Sequence, residues 1–189
     1  MRVLGIMGSP RIQGNTDLLL NAALHGAEDA GTASEKMTVC SLTIHPCTEC
    51  YGCLKEGICN IRDDMDGVYE KLITADRIIA ASPMFFYGIS AQLKALIDRC
   101  QALWARKYVL KQLPAASGKK GAFIAVGATK GEKLFEGSIM TIRYFYKTLD
   151  VVYTDELLIR GVDIKGEVSE YPTALTDAFK LGERLVKDM

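Results

Sequence analysis

Apolar positions along this chain fall in short runs that alternate with stretches of helical spacing. Val3 to Gly8 has the pattern of a buried strand and ends in a Gly, Pro and Asn cluster from Gly8 to Asn15. Leu20, Ala23, Leu24 and Ala27 then recur at i, i+3, i+4 and i+7, which predicts a helix capped by Asn15 or Thr16. Lys36 to Ile44 predicts a second strand through Met37, Val39 and Leu42, with a cysteine-rich segment after it. Asp63-Asp64-Met65 opens a helix that turns Val68, Leu72 and Ile73 inward, and the two aspartates read as its cap. Arg77 to Ala81 predicts a third strand, and Ser82 to Gly88 a turn rich in proline and aromatic residues. From Ser90 onward, Leu93, Leu96, Ile97, Cys100 and Trp104 form the clearest helical stripe in the chain. Trp104 to Lys120, with Pro114 and Gly118, reads as a helix end and an excursion. Gly121 to Gly127 predicts a fourth strand, Ser138 to Leu149 a helix and Val151 to Ile159 a fifth strand. A polar connection from Val162 to Glu170 leads to a closing helix over Tyr171 to Lys187.

Five strands alternating with helices predict an α/β protein with a mainly parallel sheet. Right-handed crossovers place helices on both faces, and five strands suit the doubly wound flavodoxin-like order 2-1-3-4-5. The pattern shows no repeat, low-complexity tract or boundary, so residues 1–189 are read as one domain with a cysteine-rich loop at about 45–62.

Composition narrows the function classes. The 189 residues are 49% apolar and 24% charged, which are globular fractions and argue against disorder. With 23 basic and 23 acidic residues the formal charge is zero, against a nucleic-acid partner and against a strongly acidic redox shuttle. No apolar run approaches a membrane span, so no membrane partner is expected. Met1-Arg2 runs straight into the first strand without a leader pattern, and a cytoplasmic location is the expectation.

Three loops at carboxyl strand ends carry candidate chemistry. Gly8-Ser9-Pro10-Arg11-Ile12-Gln13-Gly14-Asn15-Thr16 joins a strand to a helix N-terminus, where free N–H groups and the helix dipole suit a phosphate. It is neither a dinucleotide fingerprint nor a P-loop, and a plain capped turn is the competing reading. Ser82 to Ser90 displays Phe85, Phe86 and Tyr87 between Pro83 and Gly88, apolar contacts for a planar ring, or else ordinary core aromatics. Gly127-Ala128-Thr129-Lys130-Gly131-Glu132 allows close backbone approach to a ligand edge. Together the three loops describe a site for a mononucleotide with a large flat ring.

Gly8-Ser9-Pro10-Arg11 with Gly14-Asn15-Thr16, Ser82-Pro83 through Gly88, Ser90-Ala91-Gln92-Leu93-Lys94 and Ile97-Asp98-Arg99 resemble the NAD(P)H-dependent FMN reductase and iron-sulfur flavoprotein family. The resemblance implies a flavodoxin-like FMN oxidoreductase with noncovalent FMN. Ser9, Arg11, Gly14, Asn15 and Thr16 would then hold the phosphate. Pro83, Met84, Phe85, Phe86, Tyr87 and Gly88 would line the ring, and Ala128, Thr129 and Gly131 would meet its pyrimidine side. It further implies a homodimer or homotetramer, and Trp104, Arg106 and Tyr108 are candidate interface residues.

Six cysteines stand at 40, 47, 50, 53, 59 and 100. Cys47, Cys50 and Cys53 give C-x2-C-x2-C, and Cys59 follows after five residues. Three such thiolates can take three corners of a cubane, with the turn at Gly57 bringing Cys59 to the fourth iron. The four positions resemble the compact motif of iron-sulfur flavoproteins, which implies one 4Fe-4S cluster. A zinc site, a redox disulfide and an unoccupied thiol set remain open at this point. Cys40 and Cys100 read as small buried hydrophobes, and His25 and His45 receive no chemistry.

FMN would carry the reaction itself, so no catalytic acid-base dyad is expected. The leading expectation is a redox protein passing electrons between a small-molecule or protein donor and an acceptor through FMN and the cluster. The alternatives are an NAD(P)H-dependent FMN or quinone reductase without a cluster, and a plain flavodoxin-like carrier.

Overall fold

The structure is a computed structural model and describes residues 1–112 and 118–187. Its centre is a parallel sheet of β1 (Arg2–Met7), β2 (Ala33–Thr38), β3 (Arg77–Pro83), β4 (Lys120–Gly127) and β5 (Val152–Arg160), in the spatial order β2-β1-β3-β4-β5. The order and the parallel pairing agree with the doubly wound expectation.

The pleat sorts the strand side chains between two layers. Val3, Met7, Ile79, Ala81, Ile124 and Val126 face α1 (Asn15–Asp29) and α7 (Ala174–Val186). Leu4, Ile6, Ile78, Ala80, Phe123 and Ala125 face the opposite layer. That layer is built by α3 (Met65–Thr74), α4 (Ala91–Arg99), α5 (Gln101–Trp104) and α6 (Glu136–Thr148). The short α2 (Cys53–Glu56) lies in the cysteine segment. Helices α1 and α7 are in backbone contact, since a Cβ on Gly182 would sit 1.7 Å from the Ala23 carbonyl oxygen. A side chain there would push α7, and with it the connection from β5, away from α1 and the loop that precedes it.

Several boundaries differ from the sequence pattern for identifiable reasons. The second strand ends at Thr38 because its partner β1 ends at the paired Met7. Val39–Ser41 then turns as a single 3-10 turn, so Cys40 lies outside any strand. The third strand continues to Pro83 because β4 pairs with it as far as Val126. Helix α1 takes Gly14 as its N-cap and has no side-chain cap, contrary to the expected Asn15 or Thr16. After α5 the chain widens into a π-helical turn over Ala105–Val109. The excursion beyond it includes Pro114, which lies outside the described residues.

Candidate functional site

The loops after β1, β3 and β4 meet at one end of the sheet. Ser9, Arg11, Gly14, Asn15, Thr16, Pro83, Met84, Phe85 and Ala128 line one common cavity there. Phe86, Tyr87, Gly88, Thr129 and Gly131 do not line it. Tyr87 and Gly131 do meet each other, because a Cβ on Gly131 would come 2.5 Å from the Tyr87 hydroxyl. Val162, Asp163 and Lys165 also line the cavity, although the sequence pattern gave that segment only the role of a polar connection.

One end of the cavity is set by α1. Its first turn leaves N–H groups without intrahelical acceptors and presents the positive end of the helix dipole. Asp17 in that turn would repel an anion, but its carboxylate accepts from Gln13 N–H at 2.8 Å and from Lys36 Nζ at 2.9 Å. Ser9 Oγ accepts from Arg11 N–H at 3.1 Å and rounds the loop. Arg11 reaches across to donate to the Asp163 carbonyl at 3.2 Å. Asn15 does something the sequence did not show. Its Nδ2 donates to the Ile164 carbonyl at 2.9 Å and its Oδ1 accepts from Val168 N–H at 3.1 Å. Asn15 therefore holds the 162–168 connection over the cavity. The Thr16 hydroxyl makes no hydrogen bond among the described residues.

Two buried serines fix the first and second loops to each other. Ser90 caps α4 by accepting from Leu93 N–H, and it donates to the Gly8 carbonyl at 2.5 Å. Ser82 Oγ accepts from Ser90 N–H at 2.9 Å. Beyond them, Phe85 and Gly88 exchange two backbone hydrogen bonds, each 2.9 Å long, so Phe86 and Tyr87 form the tip of a two-residue hairpin. Both tip residues have positive φ, +49° and +63°, a left-handed conformation that costs an L side chain free energy. Phe86 is fully exposed.

The four motif cysteines share a second cavity of about 370 Å³, which Asn60, Arg99 and Gln101 also line. All six cysteines are free thiols. Among the described residues no three His, Cys, Asp or Glu side chains converge closely enough for a single metal ion. The donor set lining the cavity is four cysteine sulfurs, a chemistry suited to a thiolate-bound iron-sulfur group and also open to zinc. Burial pushes the Cys53 thiol up, and the neighbouring Cys59, Cys47 and Cys50 sulfurs push it further. The Cys50 thiol is drawn down, first by the Gly52 N–H. Cys100 is buried between α4 and α5 with its pKa raised by desolvation, as expected of an inert core thiol.

The neck of the cysteine loop is closed by a buried ion pair. Arg99 at the end of α4 donates to the Asp63 carboxylate at 2.7 and 3.1 Å, to the His45 carbonyl at 2.8 Å and to the Ile61 carbonyl at 3.0 Å. Asp63 also accepts from the N–H groups of His45 and Met65, at 2.9 and 3.1 Å. Burial pulls the Asp63 carboxyl upward, but the Arg99, His45 and Met65 donors outweigh it and hold it well below the usual carboxylate range. The N-cap of α3 is Asp64 and it makes no side-chain cap bond, contrary to expectation; Asp63, one residue earlier, instead holds the Met65 N–H and ties residues 45 and 61–63 together. Arg106 braces the far side of the loop, with its Nε donating to the Gly57 carbonyl at 2.6 Å.

The strand order, with the cavity-lining loops at the topological switch point, defines a flavodoxin-like protein of the doubly wound class. The chain belongs to the family described as NADPH-dependent FMN reductase, whose model matches residues 1–142. A relative named iron-sulfur flavoprotein MJ1083, from Methanocaldococcus jannaschii, is 42% identical over 130 residues, 69% of this chain and 64% of that protein. The iron-sulfur flavoprotein of Methanosarcina thermophila is 37% identical over 69% of this chain and 65% of its own length. The matches thus span just under two thirds of these relatives. The solved structure of Trp repressor binding protein from Bacillus subtilis superposes with a TM-score of 0.66 at 23% identity, covering all of both chains. NAD(P)H:quinone oxidoreductase from Methanothermobacter marburgensis gives 0.69 at 17% identity, covering 100% of this chain and 96% of that one. These two likenesses show the shared fold. No helix among the described residues is long and apolar enough to cross a membrane.

Proposed function

We propose that this chain is an FMN-dependent oxidoreductase of the iron-sulfur flavoprotein type, moving electrons between a reduced donor and an acceptor. The observation that carries the reading is that Cys47, Cys50, Cys53 and Cys59 line one cavity in a chain whose β1, β3 and β4 loops line another. The names of the curated relatives point the same way.

In this reading Ser9, Arg11, Gly14, Asn15 and Thr16 hold the FMN phosphate with N–H, hydroxyl and guanidinium donors. Pro83 to Gly88 and Ala128 to Gly131 hold the ring and shield it from water. Ser82 and Ser90 keep the two loops in register, and Asn15 keeps the 162–168 connection over the phosphate. The four cysteines bind the cluster as thiolates, and the Arg99–Asp63 pair keeps their loop closed at its base. When bound, FMN supplies hydride and paired-electron chemistry, and a 4Fe-4S cluster supplies single-electron transfer. The donor and acceptor are small molecules or proteins, with NAD(P)H as a candidate co-substrate.

Anaerobic reconstitution with iron and sulfide tests the cluster. The wild type is expected to take up about four irons per chain, and Cys53→Ala none above background, with FMN retained in both. Equal iron in the two proteins would replace this reading with an NAD(P)H-dependent FMN or quinone reductase lacking a cluster, which the family description also favours.

A further inference from the structure

The Arg99 guanidinium is wholly buried, and its two terminal nitrogens are fully engaged on Asp63, His45 and Ile61. Its Nε–H has no partner, and it is the one buried side-chain nitrogen or oxygen in that condition among the described residues. An unsatisfied buried donor is costly, and a cationic one more so. Arg99 also lines the cavity of the four cysteines, and the Cys59 sulfur lies within its electrostatic reach. The guanidinium cannot turn to relieve Nε, because the Asp63 fork and two carbonyls fix its plane. A stranded donor and a sulfur-lined cavity therefore share one wall.

We propose that Arg99 is a positioning residue for the iron-sulfur site, its Nε–H donating to a sulfur of the group held by Cys47, Cys50, Cys53 and Cys59. This rests on the cluster reading above. Sulfur atoms carrying thiolate or sulfide charge accept hydrogen bonds, and a donor with a fixed positive charge favours the more reduced form of such a group. The Asp63 carboxylate balances the Arg99 charge. Arg99 thus has two tasks. Its terminal nitrogens close the base of the loop, and its Nε sets the potential of what the loop holds.

The test uses anaerobically reconstituted protein with nitrogen-15 arginine, and iron content is measured on the same sample. The Arg99 Nε–H signal, identified by its loss in Arg99→Lys, is expected to shift or broaden away on cluster loading. The Nε–H signal of Arg77, which donates to the Leu185 carbonyl, is expected to stay in place. Reconstituted Arg99→Lys is expected to show a midpoint potential lower by at least about 59 mV, a tenfold change for one electron. Lysine keeps a charge but has no Nε–H, so a purely structural role would leave the potential unmoved. Full iron uptake with an unmoved Arg99 signal, or with an unchanged potential in the variant, overturns the Arg99 assignment alone. Failure of the wild type to take up iron overturns the cluster reading, and the Arg99 assignment with it. If Arg99→Lys does not fold, the Arg99 Nε–H signal is assigned in the wild type by through-bond correlation to its own backbone, and its shift or constancy on loading decides.

Discussion

Arg99 and Asp63 form a two-point ion pair in which neither side chain is more than 2% exposed, joining the end of α4 to the base of the cysteine loop. Removing one partner of such a pair leaves the other charged and buried, which typically costs about 3–5 kcal/mol. Asp63→Asn is expected to lower the unfolding free energy by about that amount at neutral pH, read from urea titration. The acid side gives a second readout. The folded Asp63 carboxyl lies below its ordinary value, so its contribution is complete above about pH 4 and fades as pH falls through the folded value. The stability gap between wild type and variant should therefore hold from pH 7 to about pH 5 and narrow below pH 4. A gap that stays constant down to pH 2 would mean that Asp63 acts through shape and not through charge.

How much of this was legible in the sequence depends on how local each cause is. Ser90 followed by Leu93, Leu96 and Ile97 marks a capped helix within a few residues, and that reading agrees with the structure. The cysteine spacing is equally local, and the four thiols do share one cavity. Asn15 was misread as a cap because its actual partners, Ile164 and Val168, lie about 150 residues away. Arg99 carried no signal of burial either. An arginine in the last turn of a helix ordinarily serves the dipole from the surface, and only its distant partners draw it inside. Asp63-Asp64 signals the start of α3, but Asp64 stands at the cap position without a side-chain cap bond, and the distant partner of Asp63, Arg99, leaves no local trace. Lys165 and Asp163 join the cavity only because α1 and the β5–α7 connection are brought together in three dimensions.

The hairpin tip predicts a trade between stability and binding. Phe86 and Tyr87 both hold positive φ, where Asn-Gly is the favoured pair for a two-residue hairpin. Replacing them together by Asn and Gly should stabilise the flavin-free protein by about 1–3 kcal/mol, with an unchanged urea slope. The same change removes two aromatic rings from the proposed flavin loop, so FMN affinity should fall. Stability that drops in the double variant would show that the rings pack in the free protein more than the backbone strains.

Asn15 and Thr16 are neighbours in sequence but should separate in experiment. Asn15→Ala strands the Val168 N–H, in a buried bond, and should cost about 1–3 kcal/mol of folding stability as well as weakening FMN. Thr16→Ala removes a hydroxyl with no protein partner and should leave the urea midpoint almost unchanged. Its effect belongs to the ligand, at about 1.5–3 kcal/mol for a hydrogen bond to a charged phosphate, or roughly tenfold or more in Kd. Flavin fluorescence titration with matched unfolding curves reads both quantities. Equal stability losses in the two variants would remove the assignment of Thr16 to the phosphate.

The surface beside α5 carries the last prediction. Trp104 is 38% exposed and Tyr144 on α6 is 64% exposed, and the two line one shallow groove. Tyr108 packs at 5.6 Å from the Trp104 ring, which widens the aromatic patch. Arg106, expected beside them at an interface, instead turns toward the cysteine loop to bond Gly57. The expected docking face is therefore aromatic and centred on Trp104, a residue type enriched at interface hot spots. Sedimentation of the wild type at micromolar concentration is expected to give at least a dimer. Trp104→Glu places a charge at the centre of this exposed patch and should shift the population to monomer without loss of fold. Because Arg106 braces the cysteine loop and not the partner, Arg106→Ala should leave the oligomer intact while loosening that loop to proteolysis. A monomeric wild type would remove this face from the assembly, and an Arg106→Ala monomer would move its centre toward Gly57.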